Sequence, residues 1–356
     1  MAIVMAFLST IRGLAQPVDC TPHMFDDREI RIKQRADVAQ LRFDIIRAIW
    51  NEFRIPERCD VIVTPNARTP LPPHPAFARM DRIEIPVPGI DSLRDLAYLF
   101  VPVERNQRLV IYNPGHSCTL SDDGHHHYRH EATITELAAA GFDVLAVFMP
   151  HIKESLDPNC RFDHCKVINN DLAVPDPLPT WRLRLFLDPT IVALNYVMKK
   201  YDYKKVDMVG LSGGGWTTNV VAAVDTRISC SINVAGSVPL YYRSGGSIGD
   251  IEQYLYPFYH DVASYPDLYV LGAFGKGRKQ IQILNRYDDC CFGQAQHDKK
   301  GDYATDMNTF ARAVQERLSA LEQKDHYYLI VDDTAPNHQI SEYALTKVIL
   351  PELKAN

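Results

Sequence analysis

The stretch Lys205-Val206-Asp207-Met208-Val209-Gly210-Leu211-Ser212-Gly213-Gly214 carries an apolar run into a glycine-rich turn. Residues 205–210 have the composition of a buried strand, and residues 214–224 have a helical pattern. Gly210, Ser212 and Gly214 match G-x-S-x-G, in which a serine sits on a sharp turn between strand and helix. The turn projects the hydroxyl at the carboxyl edge of a sheet and points the Gly213 N–H to the same side. Side chains two residues before and after the serine would collide with the neighbouring strand and helix, and glycine removes them. Phosphate binding is the rival for such a turn. G-x-x-x-x-G-K-[ST] is absent, however, and G-x-G-x-x-G does not match around Ser212. Ser212 is therefore read as a nucleophile.

Outward from this turn, strand and helix alternate. Residues 82–87, 96–103, 108–113, 142–149, 228–235, 279–285 and 326–332 read as strands. Residues 130–140, 188–201, 305–322 and 341–354 read as helices. This order predicts an α/β fold, a mostly parallel twisted sheet with helices on both faces. Two irregular stretches interrupt it, 150–180 and 238–278, and loops of that length are usually lids or binding segments. Before the alternation, Val38, Leu41, Ile45, Ala48, Ile49 and Phe53 form one stripe of a helix expected over 27–54. Residues 65–75 are Pro-rich and read as a connector. The expected organisation is a candidate signal peptide at 1–15, an N-terminal helical extension with connector at 16–75, and a main domain at 76–356.

The motif and the order of elements together resemble the α/β-hydrolase superfamily, over about residues 80–356. The resemblance implies a nucleophile after the fifth strand, an acid after the seventh and a histidine after the last. A serine hydroxyl needs a base, and the base needs a carboxylate to hold its tautomer. His338 lies in the loop before the final helix, six residues past the last predicted strand; His260, His297 and His326 are its rivals. Asp288 falls where the superfamily acid does, and Asp289 would be one residue off and turned away. For the oxyanion hole the resemblance implies the Gly213 amide. It implies a second amide from His116, in the loop Asn113-Pro114-Gly115-His116-Ser117, where Pro114 replaces the family's usual histidine.

Composition sets the outer limits. The chain has 356 residues, 46% hydrophobic and 23% charged, which excludes wholesale disorder. The net charge is −6 and no basic block reaches five residues, so nucleic acid is not the expected partner. No run of ~20 apolar residues marks a membrane span. Residues 2–11 are apolar and are followed by Gly13 and Ala15, which fits a signal peptide except for the missing positive start. Eight cysteines permit disulfides and tilt the reading toward export, secreted or periplasmic, over the cytoplasm. The expected local bridges are Cys160–Cys165 and Cys20–Cys59, and a bridge between the adjacent Cys290 and Cys291 would be strained.

Asp122, Asp123, His125, His126, His127, His130 and Glu131 crowd one segment. His126 and His130 would share a helical face as metal ligands, but H-E-x-x-H is absent. The simpler reading is a polar loop capping the helix at 130–140, and a third is substrate contact. The aromatics Tyr241, Tyr242, Tyr254, Tyr256, Phe258 and Tyr259 are a candidate substrate wall. The function expected is a serine hydrolase cleaving a small-molecule or polymer carboxylic ester, with no cofactor and no metal. The alternatives are a peptidase of the same fold and a non-catalytic binding module on this scaffold. The amphipathic helix at 27–54 packs on the body or on a second subunit.

Overall fold

The computed structural model describes residues 19–22, 25–68, 71–88, 90–117, 119–121, 128–150, 164–165, 179–243, 249–296 and 302–355. The segment 1–15 read as a candidate signal peptide, most of 150–180, Cys118, Cys160, His125, His126, His127 and His297 lie outside these residues.

One nine-stranded sheet organises the chain. Its strands are β1 (Ile62–Thr64), β2 (Phe77–Val87), β3 (Ile90–Pro102), β4 (Arg108–Asn113), β5 (Asp143–Val147), β6 (Lys205–Leu211), β7 (Ile228–Val234), β8 (Lys279–Asn285) and β9 (Tyr327–Asp332). Their spatial order is β1-β2-β3-β5-β4-β6-β7-β8-β9. The first three strands are antiparallel to one another, and β3 is antiparallel to β5. From β5 to β9 every pair is parallel. The central parallel strands are buried on both faces; β5 has no exposed residue. They therefore read as continuous apolar runs in the sequence. The β2–β3 hairpin is longer than expected, because its ends are half-polar. Strand β1, just before the stretch read as connector, pairs with β2.

Helices α1 (Arg35–Trp50), α2 (His130–Ala139), α3 (Arg184–Lys200), α4 (Gly213–Val224), α5 (Ile251–Tyr254), α6 (Tyr256–Asp261), α7 (Tyr265–Ala273) and α8 (Tyr303–Ala320) cover the sheet. The chain closes on a π-helical turn, Ala344–Ile349, and a last α-helical turn, Leu350–Ala355. Helix α4 follows the serine turn and is buried throughout. Its last carbonyls are held by two arginines. Arg42 donates to Ala223 O at 2.8 Å, and Arg278 donates to Ala222 O and Leu271 O. Cations at a helix C-terminus satisfy its orphan carbonyls and meet the negative end of its dipole. Burial pushes Arg278 down to about 10.

The helix expected over 27–54 spans only Arg35–Trp50. Gln34 and Asp37 form a reciprocal cap at its start, and Asn51 ends it in a left-handed conformation. Residues 27–34 stay extended because tertiary partners take their polar groups. Asp27 accepts from the amides of Leu240 and Tyr241, and the Arg31 amide donates to Asp267 Oδ1 at 2.7 Å. The stripe packs on the body: Ile45 and Ile49 are fully buried, and Trp50 Nε1 donates to Asp188 Oδ1 at 2.8 Å.

The expected cysteine pairings are corrected. Cys20 bonds to Cys165 across 145 residues, Cys290 bonds to Cys291, and Cys59 is a free thiol. The Cys20–Cys165 bond joins the N-terminal segment to the second half of the 150–180 insertion. Non-reducing peptide mapping is expected to recover Cys20 linked to Cys165. Cys165→Ser should lower unfolding free energy by about 3 kcal/mol, measured by urea denaturation.

Burial raises the Asp27 carboxyl from 3.8 to about 6, against two amides and the Arg243 charge that lower it. The folded chain therefore keeps this proton where the unfolded chain has lost it. Its contribution to stability is complete below pH 4 and is lost as pH rises through about 6. The difference in unfolding free energy between wild type and Asp27→Asn should consequently shift against wild type, by up to about 3 kcal/mol, between pH 4 and pH 7. Urea melts at several pH values check this.

Candidate active site

Ser212 joins β6 to α4 with φ 59° and ψ −130°, a backbone conformation costly for a side-chain-bearing residue. Close backbone contact surrounds it. A Cβ on Gly210 would lie 2.1 Å from Gly214 O, and a Cβ on Gly214 would lie 2.2 Å from Asn113 O. The Ser212 amide donates to Val234 O at 3.0 Å, which ties the turn to the end of β7. The loop after β4 presses on the same turn. Gly115 has φ +71°, and a Cβ there would lie 2.5 Å from Leu211 O and 3.1 Å from Gly213 N. The His116 ring lies over Gly213, where a Cβ would meet its Cε1 at 2.6 Å. Gly115 and the His116 ring thus press on the Ser212–Gly213 turn, and the Gly213 and His116 amides donate to no backbone carbonyl among the described residues.

Asp288 and His338 come from the loops after β8 and β9. They meet through Asp288 Oδ2 and His338 Nδ1 at 2.7 Å. Asp288 Oδ1 accepts from the amides of Cys290 and Cys291 at 2.8 and 3.0 Å. Burial alone would raise the Asp288 carboxyl. The hydrogen bond and charge of His338, with these two amides, hold it below the usual carboxylate range. An ionised carboxylate at Nδ1 assigns the ring proton to that nitrogen and leaves Nε2 with a lone pair. His338 Nε2 is buried and makes no hydrogen bond. Ser212 Oγ makes none either among the described residues. The parallel strands place all three residues at the carboxyl edge of the sheet, after β6, β8 and β9.

Asp289 is exposed, and its side chain is not idle: Oδ1 accepts from the His338 backbone amide at 3.2 Å. Asn285, at the end of β8, donates to Asn337 O at 3.1 Å and Gln339 O at 2.7 Å, one on each side of the histidine. Sequence reasoning missed this support, and an asparagine at a strand end gave no signal for it. The rival histidines have other partners: His326 Nδ1 lies 3.1 Å from Ala273 O, and His260 stacks on Tyr256. His130 is a buried residue with Nδ1 2.6 Å from Tyr112 Oη. The substrate wall expected at 238–278 is corrected at Phe258 and Tyr259. Both are fully buried core residues, and Tyr259 Oη accepts from Trp216 Nε1.

A second cluster surrounds the His116 side chain. Its Nε2 lies 3.2 Å from Asp250 Oδ2 and 3.4 Å from Glu252 Oε1. Glu252 Oε2 lies 2.7 Å from His164 Nδ1. These residues come from three separate segments, so no spacing in the sequence announced them.

No family model matches the sequence, and no curated protein matches it. Solved structures do match its fold. A methylesterase superposes with a TM-score of 0.56 at 13% identity, covering 88% of this chain and 62% of that one. This chain therefore spans only about three fifths of the methylesterase. A promiscuous CE15 esterase from a marine bacterial metagenome gives 0.55 at 14% identity, covering 90% and 94%. A glucuronoyl esterase from Solibacter usitatus gives 0.53 at 12% identity, covering 88% and 90%. The chain has the α/β-hydrolase fold.

Asn285→Ala removes both bonds that clamp the His338 loop. It should cost about 2 kcal/mol of stability. Amide hydrogen exchange should speed up at 337–340 while β8 remains protected.

Proposed function

We propose that this protein is a serine hydrolase that cleaves a carboxylic ester through an acyl-enzyme. The observation that carries the reading is a left-handed Ser212 at the carboxyl edge of the sheet together with, at the same edge, a buried Asp288–His338 couple whose Nε2 has no hydrogen-bond partner among the described residues. In this reading Ser212 Oγ attacks the ester carbonyl and His338 Nε2 takes its proton. Asp288 holds the imidazole in the required tautomer and stabilises the cation that forms. The Gly213 and His116 amides receive the developing oxyanion, a contribution of about 3–4 kcal/mol for a single well-placed donor. The proton then passes from His338 to the leaving alkoxide, and a water repeats the sequence to release the acid. Apo serine–histidine contacts are often loose and tighten with substrate. The esterase names of the structural neighbours support this reaction class over a peptidase, although at 12–14% identity they establish the fold alone.

A fluorophosphonate probe should label the wild type and fail to label Ser212→Ala or His338→Ala. On a panel of acetyl, methyl and uronate esters, Ser212→Ala should lose about 10⁶-fold in kcat, and Asp288→Asn about 10⁴-fold. A folded wild type that takes no label and turns over no ester overturns the reading in favour of a binding module.

A further inference from the structure

We propose that His116, His164, Asp250 and Glu252 form a binding site for a divalent transition-metal ion of the zinc class. One donor atom from each lies within 4.8 Å of every other. Two imidazoles with two carboxylates are a donor set suited to zinc and its neighbours, not to calcium or magnesium.

The distances are those of a coordination shell. Zinc-to-nitrogen and zinc-to-oxygen bonds of about 2.0–2.1 Å at tetrahedral angles place neighbouring ligand atoms about 3.3 Å apart. His116 Nε2 stands 3.2 Å from Asp250 Oδ2 and 3.4 Å from Glu252 Oε1. Neither oxygen is aligned for a hydrogen bond, since His116 Nε2 is a buried atom with no hydrogen-bond partner among the described residues. Ligands arranged around a common ion lie off the ring N–H axis in just this way. His164 Nδ1 lies 2.7 Å from the second Glu252 oxygen, which ties these two side chains together.

Charge gives an independent reason. Glu252 is a fully buried carboxyl lying between the two imidazoles. Asp250 adds a second negative charge at the exposed rim. A dication neutralises both carboxylates while the imidazoles remain neutral, and buried charge is tolerated only when it is compensated.

The site joins three parts of the chain. His116 belongs to the loop pressed on the Ser212 turn, His164 to the 150–180 insertion, and Asp250 with Glu252 to the 238–278 insertion. A bound ion would fix the His116 ring, and with it the adjacent backbone amide, against both insertions. Metal binding itself does not depend on whether Ser212 is a nucleophile.

The test is zinc binding by the full chain after EDTA stripping and desalting, read by titration calorimetry and by metal analysis after dialysis. Wild type is expected to bind one equivalent of Zn²⁺, and Ser212→Ala to bind it equally well. Asp250→Asn, at an exposed position that does not threaten folding, and Glu252→Gln should each weaken binding by about tenfold or more. Cobalt(II) bound in place of zinc should give the intense visible bands of a four-coordinate site. The Cys290, Cys291 and His338 group is the competing location for an ion. Cys290→Ser is therefore expected to leave binding unchanged. The proposal is overturned if wild type takes up no stoichiometric zinc, if Asp250→Asn and Glu252→Gln bind like wild type, or if Cys290→Ser abolishes binding. Lost ester turnover in Ser212→Ala with zinc binding intact separates this proposal from the catalytic one.

Discussion

The close approach of three backbone segments at Ser212 is the constraint on which the other features rest. The end of β4, the end of β6 and the first turn of α4 meet with no room for a Cβ at Gly210 or Gly214. Such contact needs glycine, and it leaves the serine as the one side chain emerging from the turn. It also dictates that α4 run through the interior. A helix buried on every side cannot leave its terminal carbonyls to water. Arg42 from α1 and Arg278 from the start of β8 reach in to hold them. The N-terminal helix is thereby tied to the Ser212 turn at the far end of the same helix.

Parallel pairing from β5 to β9 does the rest of the placement. It brings the loops after β4, β6, β8 and β9 to one edge, so residues 113 to 338 in sequence converge without any long-range instruction beyond strand order. The couple after β8 and β9 is then fixed locally. Asn285 anchors the backbone on both sides of His338, Asp289 holds its amide, and the Cys290 and Cys291 amides hold Asp288. A carboxylate secured by three donors is a rigid partner for an imidazole, and these contacts hold it below the usual carboxylate range despite its burial.

What the sequence made legible follows the range of the forces involved. The buried parallel strands and α4 are written in short apolar runs, and the serine turn in two glycines whose reason is local. Residues 27–34 fall within the expected helix, yet they are extended, because Asp27 and Arg31 find partners more than 200 residues away. The same reasoning explains the cysteines. Cys20 lies nearer to Cys59 in sequence, but the extended N-terminal segment runs along the 238–278 insertion and meets Cys165 instead. Phe258 and Tyr259 looked like a substrate wall because aromatics in an irregular segment lack a burial pattern. Short helices α5 to α7 turn them inward.

The residues gathered around His116 show why a site can be invisible to spacing and still be strongly specified. His164 and Glu252 are buried polar groups facing each other across two insertions. In an apolar surrounding, neither would be stable without the other. Each insertion therefore supplies the compensation that the other requires, and both converge on the ring of His116. On the assignments proposed here, that residue has two separate tasks: its amide faces the reacting carbonyl and its ring faces the ion. The backbone N–H is fixed by φ and ψ, and these are restrained on one side by Gly115 against Leu211. The ring contact restrains the other side. A loop held at both points presents its donor without reorganisation, and this is the condition under which an oxyanion donor contributes most.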